Sequence, residues 1–158
     1  MKSNRPKSSK QEPTIRIWSH EQTRQASPYI FSIMRSLRDS VLEAQHKEIA
    51  AERLAQQPGR PNRRQILEQE MAWCEAREAS ERFHEALEEL HSLDIYCLDP
   101  IQGQALVPFF ARSDQLAWYV YDLFDSQPVR FWRYHNDPPE TRRPVPETPY
   151  GQWNSYAV

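Results

Sequence analysis

The sequence predicts an α+β fold that is mainly α. A long antiparallel helical hairpin carries a small three-stranded antiparallel β-meander, and the termini are disordered or extended. Three observations predict this. Small and apolar residues at Ala72, Ala76, Ala79, Phe83, Ala86, Leu90 and Leu93 recur in alternating steps of four and three, the spacing of a heptad seam. An earlier stretch repeats that spacing at Ile30, Met34, Leu37, Val41, Ala44 and Ala51, with Glu48 interrupting it. Later the pattern changes to three short runs rich in β-branched and aromatic residues, divided by turn residues.

In chain order, Met1 to Pro13 is rich in Lys, Ser, Gln and Pro and reads as disordered. Ser19 with Gln22 three residues on is a capping box. It predicts a short helix over about Ser19 to Ala26, ended by Ser27-Pro28. The same pair can open the next helix, with Ser27 as its N-cap and Pro28 in its first turn. That long helix runs to about Ala55. Pro58, Gly59 and Pro61 break it. A second long helix follows over about Gln65 to Leu93. Two arms of similar length joined by a short loop make an antiparallel hairpin. Alanines on the second seam bring the backbones close near the loop, and Phe83 and Leu90 widen the open end.

Asp99-Pro100 and Gly103 are turn residues. Ala105–Phe110, Ala117–Phe124 and Val129–Tyr134 are the predicted strands. From Asn136 the chain is Pro-rich and ends with Tyr150, Trp153 and Tyr156. The predicted organisation is a basic tail (1–17), one domain (18–135) and an extended tail (136–158).

Composition bounds the function. No run of 18 apolar residues exists, so no membrane-spanning helix is expected. The polar N-terminus lacks a signal-peptide core, which points to the cytoplasm. Cys74 and Cys97 form neither a disulfide framework nor a CxxC metal knuckle, and Cys74 reads as a buried helical thiol. Charge is uneven. Residues 1–17 hold five basic groups and Glu12, a net of +4, whereas residues 65–94 hold nine acidic groups against Arg77 and Arg82, a net of −7. An acidic hairpin face argues against binding a nucleic-acid duplex. The alternative is phosphate contact by Lys2, Arg5, Lys7, Lys10, Arg60, Arg63 and Arg64. The plainer account of those residues is solvating charge.

Taken in this order, the motifs resemble an uncharacterised bacterial family, the domain of unknown function 2203. Its aromatic-Thr-Leu-Glu-Glu-Ala opening, ending at a Pro, corresponds to Trp18-Ser19-His20-Glu21-Gln22-Thr23 with Pro28. Its Lys-Asp-Pro-x-x-Gly turn corresponds to Leu98-Asp99-Pro100-Ile101-Gln102-Gly103, followed by Pro108. Its Trp-His pair corresponds to Trp132-Arg133, and its Arg-x-Pro to Arg142-Arg143-Pro144. The resemblance spans about Ile17 to Val145. The departures are Val120-Tyr121-Asp122 for a Leu-Cys-Trp, Asp125-Ser126 for a Gly-Glu turn, and Arg133 for a His. The resemblance implies an order of elements and no activity.

Two residue sets could carry function. Glu81, His84, Glu88 and His91 form two Glu-x-x-His units, a spacing found in di-iron helical bundles. At about 100° per residue the four fall within about 80° on one helix face. That face is roughly opposite the apolar seam, and the first long helix offers no matching inward pair, so a solvated face is the plainer reading. The second set is aromatic: Trp118, Tyr119, Tyr121, Phe131 and Trp132 in the strands, with Tyr150 and Trp153 in the tail. Large side chains can simply fill a small sheet's core, but they also mark partner-binding patches. No nucleophile-elbow motif accompanies the Ser, His and Asp residues. The sequence therefore points to a protein-interaction or assembly module that needs no cofactor and binds a protein partner or a second copy of itself. A metal-binding protein or enzyme using the Glu/His face is the first alternative, and a nucleic-acid-associated protein the second.

Overall fold

The computed structural model describes residues 14–111 and 114–146. Tyr150, Trp153, Tyr156 and most of the basic tail lie outside the described residues. The chain is α+β and mainly α. Helix α1 (His20–Ala55) and helix α2 (Arg63–Ser92) precede strands β1 (Tyr96–Asp99), β2 (Gln104–Phe110), β3 (Leu116–Asp122), β4 (Phe131–Tyr134) and β5 (Arg143–Pro144).

The first correction concerns α1. The capping box forms as expected: Ser19 Oγ accepts from Gln22 N–H, and Gln22 Oε1 accepts from Ser19 N–H, each at 3.0 Å. The helix then runs through Pro28 without stopping. Pro28 deletes one donor, the bond to Arg24 O. Packing on both sides outweighs that loss, because Thr23 and Ile30 are fully buried. Thr23 also returns its hydroxyl to Ser19 O at 2.8 Å. At 1.5 Å per residue, α1 is about 54 Å long and α2 about 45 Å. A second capping box, Asn62 with Gln65, starts α2 two residues earlier than the apolar pattern implied. Gly59 in the loop takes a φ of +92°, which favours glycine.

The two helices pack along the expected seam. Ile30, Met34, Leu37, Ala44 and Ala51 are buried on α1, and Ala76, Ala79, Ala86 and Leu90 on α2. Ile33 and Ser40 join the α1 side. Cys74 is exposed, not buried, because it lies off the seam, 3.7 Å from Glu78 Oε1.

The second correction concerns the sheet. It has five antiparallel strands in the order β1-β2-β3-β4-β5, not three. β1 adds Tyr96 and Cys97 opposite Leu106 and Ala105, and β5 adds Pro144 and Arg143 opposite Phe131 and Trp132. Part of the Pro-rich tail is thus sheet. β3 stops at Asp122, whose Oδ1 accepts from Phe124 N–H and turns the chain. Between β1 and β2, Asp99 Oδ1 accepts from the N–H of Ile101 and Gln102. Gly103 must be glycine there: its φ is +69°, and a Cβ would sit 2.6 Å from the Leu123 Cβ.

The sheet has one inner face against the hairpin. Ala105, Val107 and Phe109 of β2 meet Ala117, Tyr119 and Tyr121 of β3, and all are buried with Ile30, Met34, Leu37 and Leu90. The Phe109 and Tyr119 rings stack at 4.0 Å. A clasp ties the start of the chain to this core. Trp18 N–H donates to Pro108 O at 2.9 Å, and its indole N–H to Leu93 O at 3.0 Å. Arg16 N–H donates to Asp94 Oδ2 at 2.7 Å, and its guanidinium lies 4.2 Å from the Trp18 ring.

Candidate functional site

Strand alternation divides the aromatic set between two faces. Tyr119, Tyr121 and Trp132 point into the core and are buried. They are packing residues, and a partner cannot reach them in this fold. Burial pushes the Tyr119 and Tyr121 phenols up from their ordinary range. Trp118 and Phe131 lie on the outer face, in a small cluster with Leu106, Val120 and Leu116. The Tyr96 ring meets Trp118 edge-on at 5.6 Å, and His91 sits 5.8 Å from Tyr96. The Trp118 indole N–H donates to His135 Nδ1 at 3.1 Å. Arg133, where the family resemblance expects a His, is 8% exposed on this face. Its guanidinium donates to the carbonyls of Tyr134 and Asp137, at 3.4 Å each.

The Glu/His set stays on the exposed side of α2. Glu81, His84, Glu88 and His91 are all exposed. His84 Nδ1 is 2.7 Å from Ser80 O, its own helix backbone, and His91 turns toward Tyr96. Among the described residues, no group of three or more His, Cys, Asp or Glu is placed to hold a metal ion.

The two flanks of the hairpin differ. One is polar and cross-linked between helices: Tyr29 bonds Glu89, Arg82 lies 3.0 Å from Glu43, and Lys47 lies 2.6 Å from Glu75. These pairs are exposed and each adds little. The other flank is mixed: an apolar line runs along it, with Arg77, Ser80, His84 and His91 of α2 on the same side. On α1, Phe31, Arg38, Leu42 and Ile49 fall within about 40° of one another. Arg38 marks the direction, because its Nε–H donates to Ile101 O at 3.0 Å and its guanidinium lies 5.1 Å from the Phe124 ring. This is the flank beside the sheet. On α2, Ile66, Trp73 and Leu87 recur at multiples of seven and drift by about 20° per heptad. Leu87 packs on the core. Toward the loop the sheet no longer covers this stripe. Ile49 is 49% exposed, Ile66 43% and Trp73 41%. Trp73 and Ala76, with the polar Glu48, Arg77 and Ser80, line a shallow recess between the helices.

A concave groove lies at the other end of the molecule, between the first turns of α1 and the β4–β5 edge. His20, Arg24 and Ser27 form one wall, and Val129, Phe131 and Pro144 are among the residues opposite. Its volume is about 940 Å³. Val145 N–H donates to Arg130 O at 2.8 Å and holds the second wall together. The His20 ring is 5.6 Å from Tyr119. Burial first, and Arg24 second, hold the His20 imidazole below its ordinary pKa. In the sequence His20 stands out only as a member of the Trp18–Thr23 motif. The three segments of this groove are far apart in the chain, so no local pattern could announce it.

No helix among the described residues is long and apolar enough to cross a membrane. Comparison with protein-family models, curated proteins and solved structures finds no match.

Proposed function

We propose that this chain is a protein-interaction or assembly module that works without catalysing a reaction. One observation carries the reading: the apolar stripe beside the sheet continues along the hairpin past the point where the sheet covers it. Ile49, Ile66 and Trp73 stand on that uncovered length. An aromatic with flanking aliphatic residues is the usual make-up of an interface centre, and a helix pair offering such a stripe can be completed by another helix pair. The partner in this reading is a second copy of the chain, which presents the same stripe and can close a two-fold contact. Outer-face residues Tyr96 and Phe110 are a secondary contact region. The two free thiols suit a reducing compartment, and the proposal places the module in the cytoplasm. The resemblance to the domain of unknown function 2203 is part of this reading and adds no activity to it.

Sedimentation equilibrium tests it. The parent is expected at twice its 18.8 kDa mass at micromolar concentration. Trp73→Glu and Ile49→Glu are expected to sediment as monomers with unchanged helical circular dichroism, because neither position is in the core. A parent that stays monomeric throughout that range would refute self-assembly through the arm.

A further inference from the structure

We infer that the groove between the start of α1 and the β4–β5 edge is a binding site for an organic anion: a carboxylate carried on an apolar body of about aromatic size. This site is remote from the arm and does not depend on the assembly reading. Six of its eleven lining residues are apolar, namely Pro128, Val129, Phe131, Pro144, Val145 and Pro146. They set the body of the ligand, since pockets of about 300–1,000 Å³ with mostly apolar walls and a few converging polar groups hold small organic molecules.

The polar groups set the charge. His20, Arg24 and Arg130 line the groove, and among the described residues no carboxylate does. Among the described residues Arg24 has no acidic partner within 4.0 Å. Arg130 has a long contact, 3.6 Å to Asp125 Oδ2, and its guanidinium lies 5.9 Å from the Phe131 ring. One arginine from each wall thus lines a single cavity, and a pair of guanidiniums at one site suits a planar carboxylate. Ser27 and Gln127 add neutral polar groups at the rim.

His20 supplies a readout that packing alone would not move. The charged groups around it are Arg24, which disfavours its protonation, and Glu21, which favours it; burial is the largest influence and also disfavours it. A carboxylate bound beside Arg24 offsets the guanidinium and adds an opposite charge, so the His20 pKa rises on binding. By linkage, affinity rises as pH falls through that range.

The test uses the full-length protein labelled with ¹⁵N and titrated with 3-phenylpropionate, its neutral analogue 3-phenylpropanamide, and inorganic phosphate. The expected result is saturable shifts at His20, Arg24 and Val129–Phe131 with the carboxylate, and much weaker shifts with the other two. Binding should weaken about tenfold in Arg24→Gln and in Arg130→Gln, the loss of one charge-assisted hydrogen bond. The His20 imidazole should titrate at higher pH when saturated. The proposal is overturned if the amide binds as tightly as the carboxylate, if phosphate alone saturates the same resonances, or if no saturable shift occurs. It is equally overturned if both arginine variants, folded by their spectra, bind as the parent does. The carboxylate–amide pair decides the matter even if a variant fails to fold.

Discussion

The two halves of the helical hairpin share one seam and one register, yet they are built from different residues. Near the sheet the seam is Ile30, Ile33, Met34, Leu37 and Leu90, and a third layer of strands closes over it. Toward the loop the seam is Ala44, Ala51, Ala76 and Ala79, and among the described residues no third layer follows. Alanines give close helix contact but remove little area from water, so the outer half gains much less hydrophobic stabilisation per turn. The comparison separates two tasks that a heptad pattern merges. The seam decides where two helices touch. Coverage of the neighbouring face decides how far the pair is completed, and the half beside the sheet is the better covered of the two.

The sharpest way to break this contrast is Leu90→Ala. Leu90 is fully buried where helix and sheet meet, so the loss is expected at about 2–5 kcal/mol in denaturant unfolding. A loss no greater than that of a surface substitution would mean the two halves are not energetically distinct. Ala79→Leu tests the other half. A larger side chain at a fully buried close contact is expected to cost about 1–3 kcal/mol. No change in midpoint would show that the alanine seam is looser than drawn.

One cysteine on the hairpin and one in the sheet give a third measurement. Cys74 is exposed on the arm, whereas Cys97 is half-buried in β1. Burial, and then Asp99, push the Cys97 thiol up to about 11 from 9.0. That rise lowers its thiolate fraction at pH 8 by about a hundredfold relative to an unshifted thiol. One rapid and one slow phase of reaction with a disulfide reagent are expected, and Cys74→Ser should remove the rapid one. Equal rates would contradict the placement of β1.

The smallest effect concerns pH and belongs to the sheet end alone. The folded-state pKa of His20 lies below its unfolded value, so the unfolded chain binds more protons between the two. Stability from this group is complete above the unfolded value near 6.5 and is lost as pH falls through the window below it. His20→Gln should flatten the slope of unfolding midpoint against pH there. An unchanged slope would remove His20 from the account.

Much of the fold could be read from residue spacing, for reasons that also mark where reading fails. Both helices were visible because a seven-residue repeat persists for several turns. Ser19 with Gln22 marked the start of α1 correctly, whereas Pro28 suggested a break that buried Thr23 and Ile30 prevent. β1 and β5 escaped because four residues beside Asp99-Pro100, and two that include Pro144, carry too little period to register. They exist because β2 and β4 present edges for them. Tyr119, Tyr121 and Trp132 were grouped with Trp118 and Phe131 because composition does not say which side of a sheet is covered. The groove depends on residues 20–27, 127–131 and 144–146 meeting in space, which no window along the chain contains.

The Trp18 clasp bears on how the chain is made. Its two hydrogen bonds reach Leu93 O and Pro108 O, which follow it by 75 and 90 residues. The ribosome adds about 5–20 residues per second, so seconds pass between synthesis of Trp18 and synthesis of its second partner. The helical hairpin is complete in sequence well before then, and its seam can form as soon as α2 leaves the exit tunnel. Trp18 must wait beside an unfinished core until β2 emerges. Trp18, made early, is thus among the last residues to be fixed, and a nascent chain stalled before Pro108 would display an unfastened tryptophan to the chaperones at the tunnel mouth.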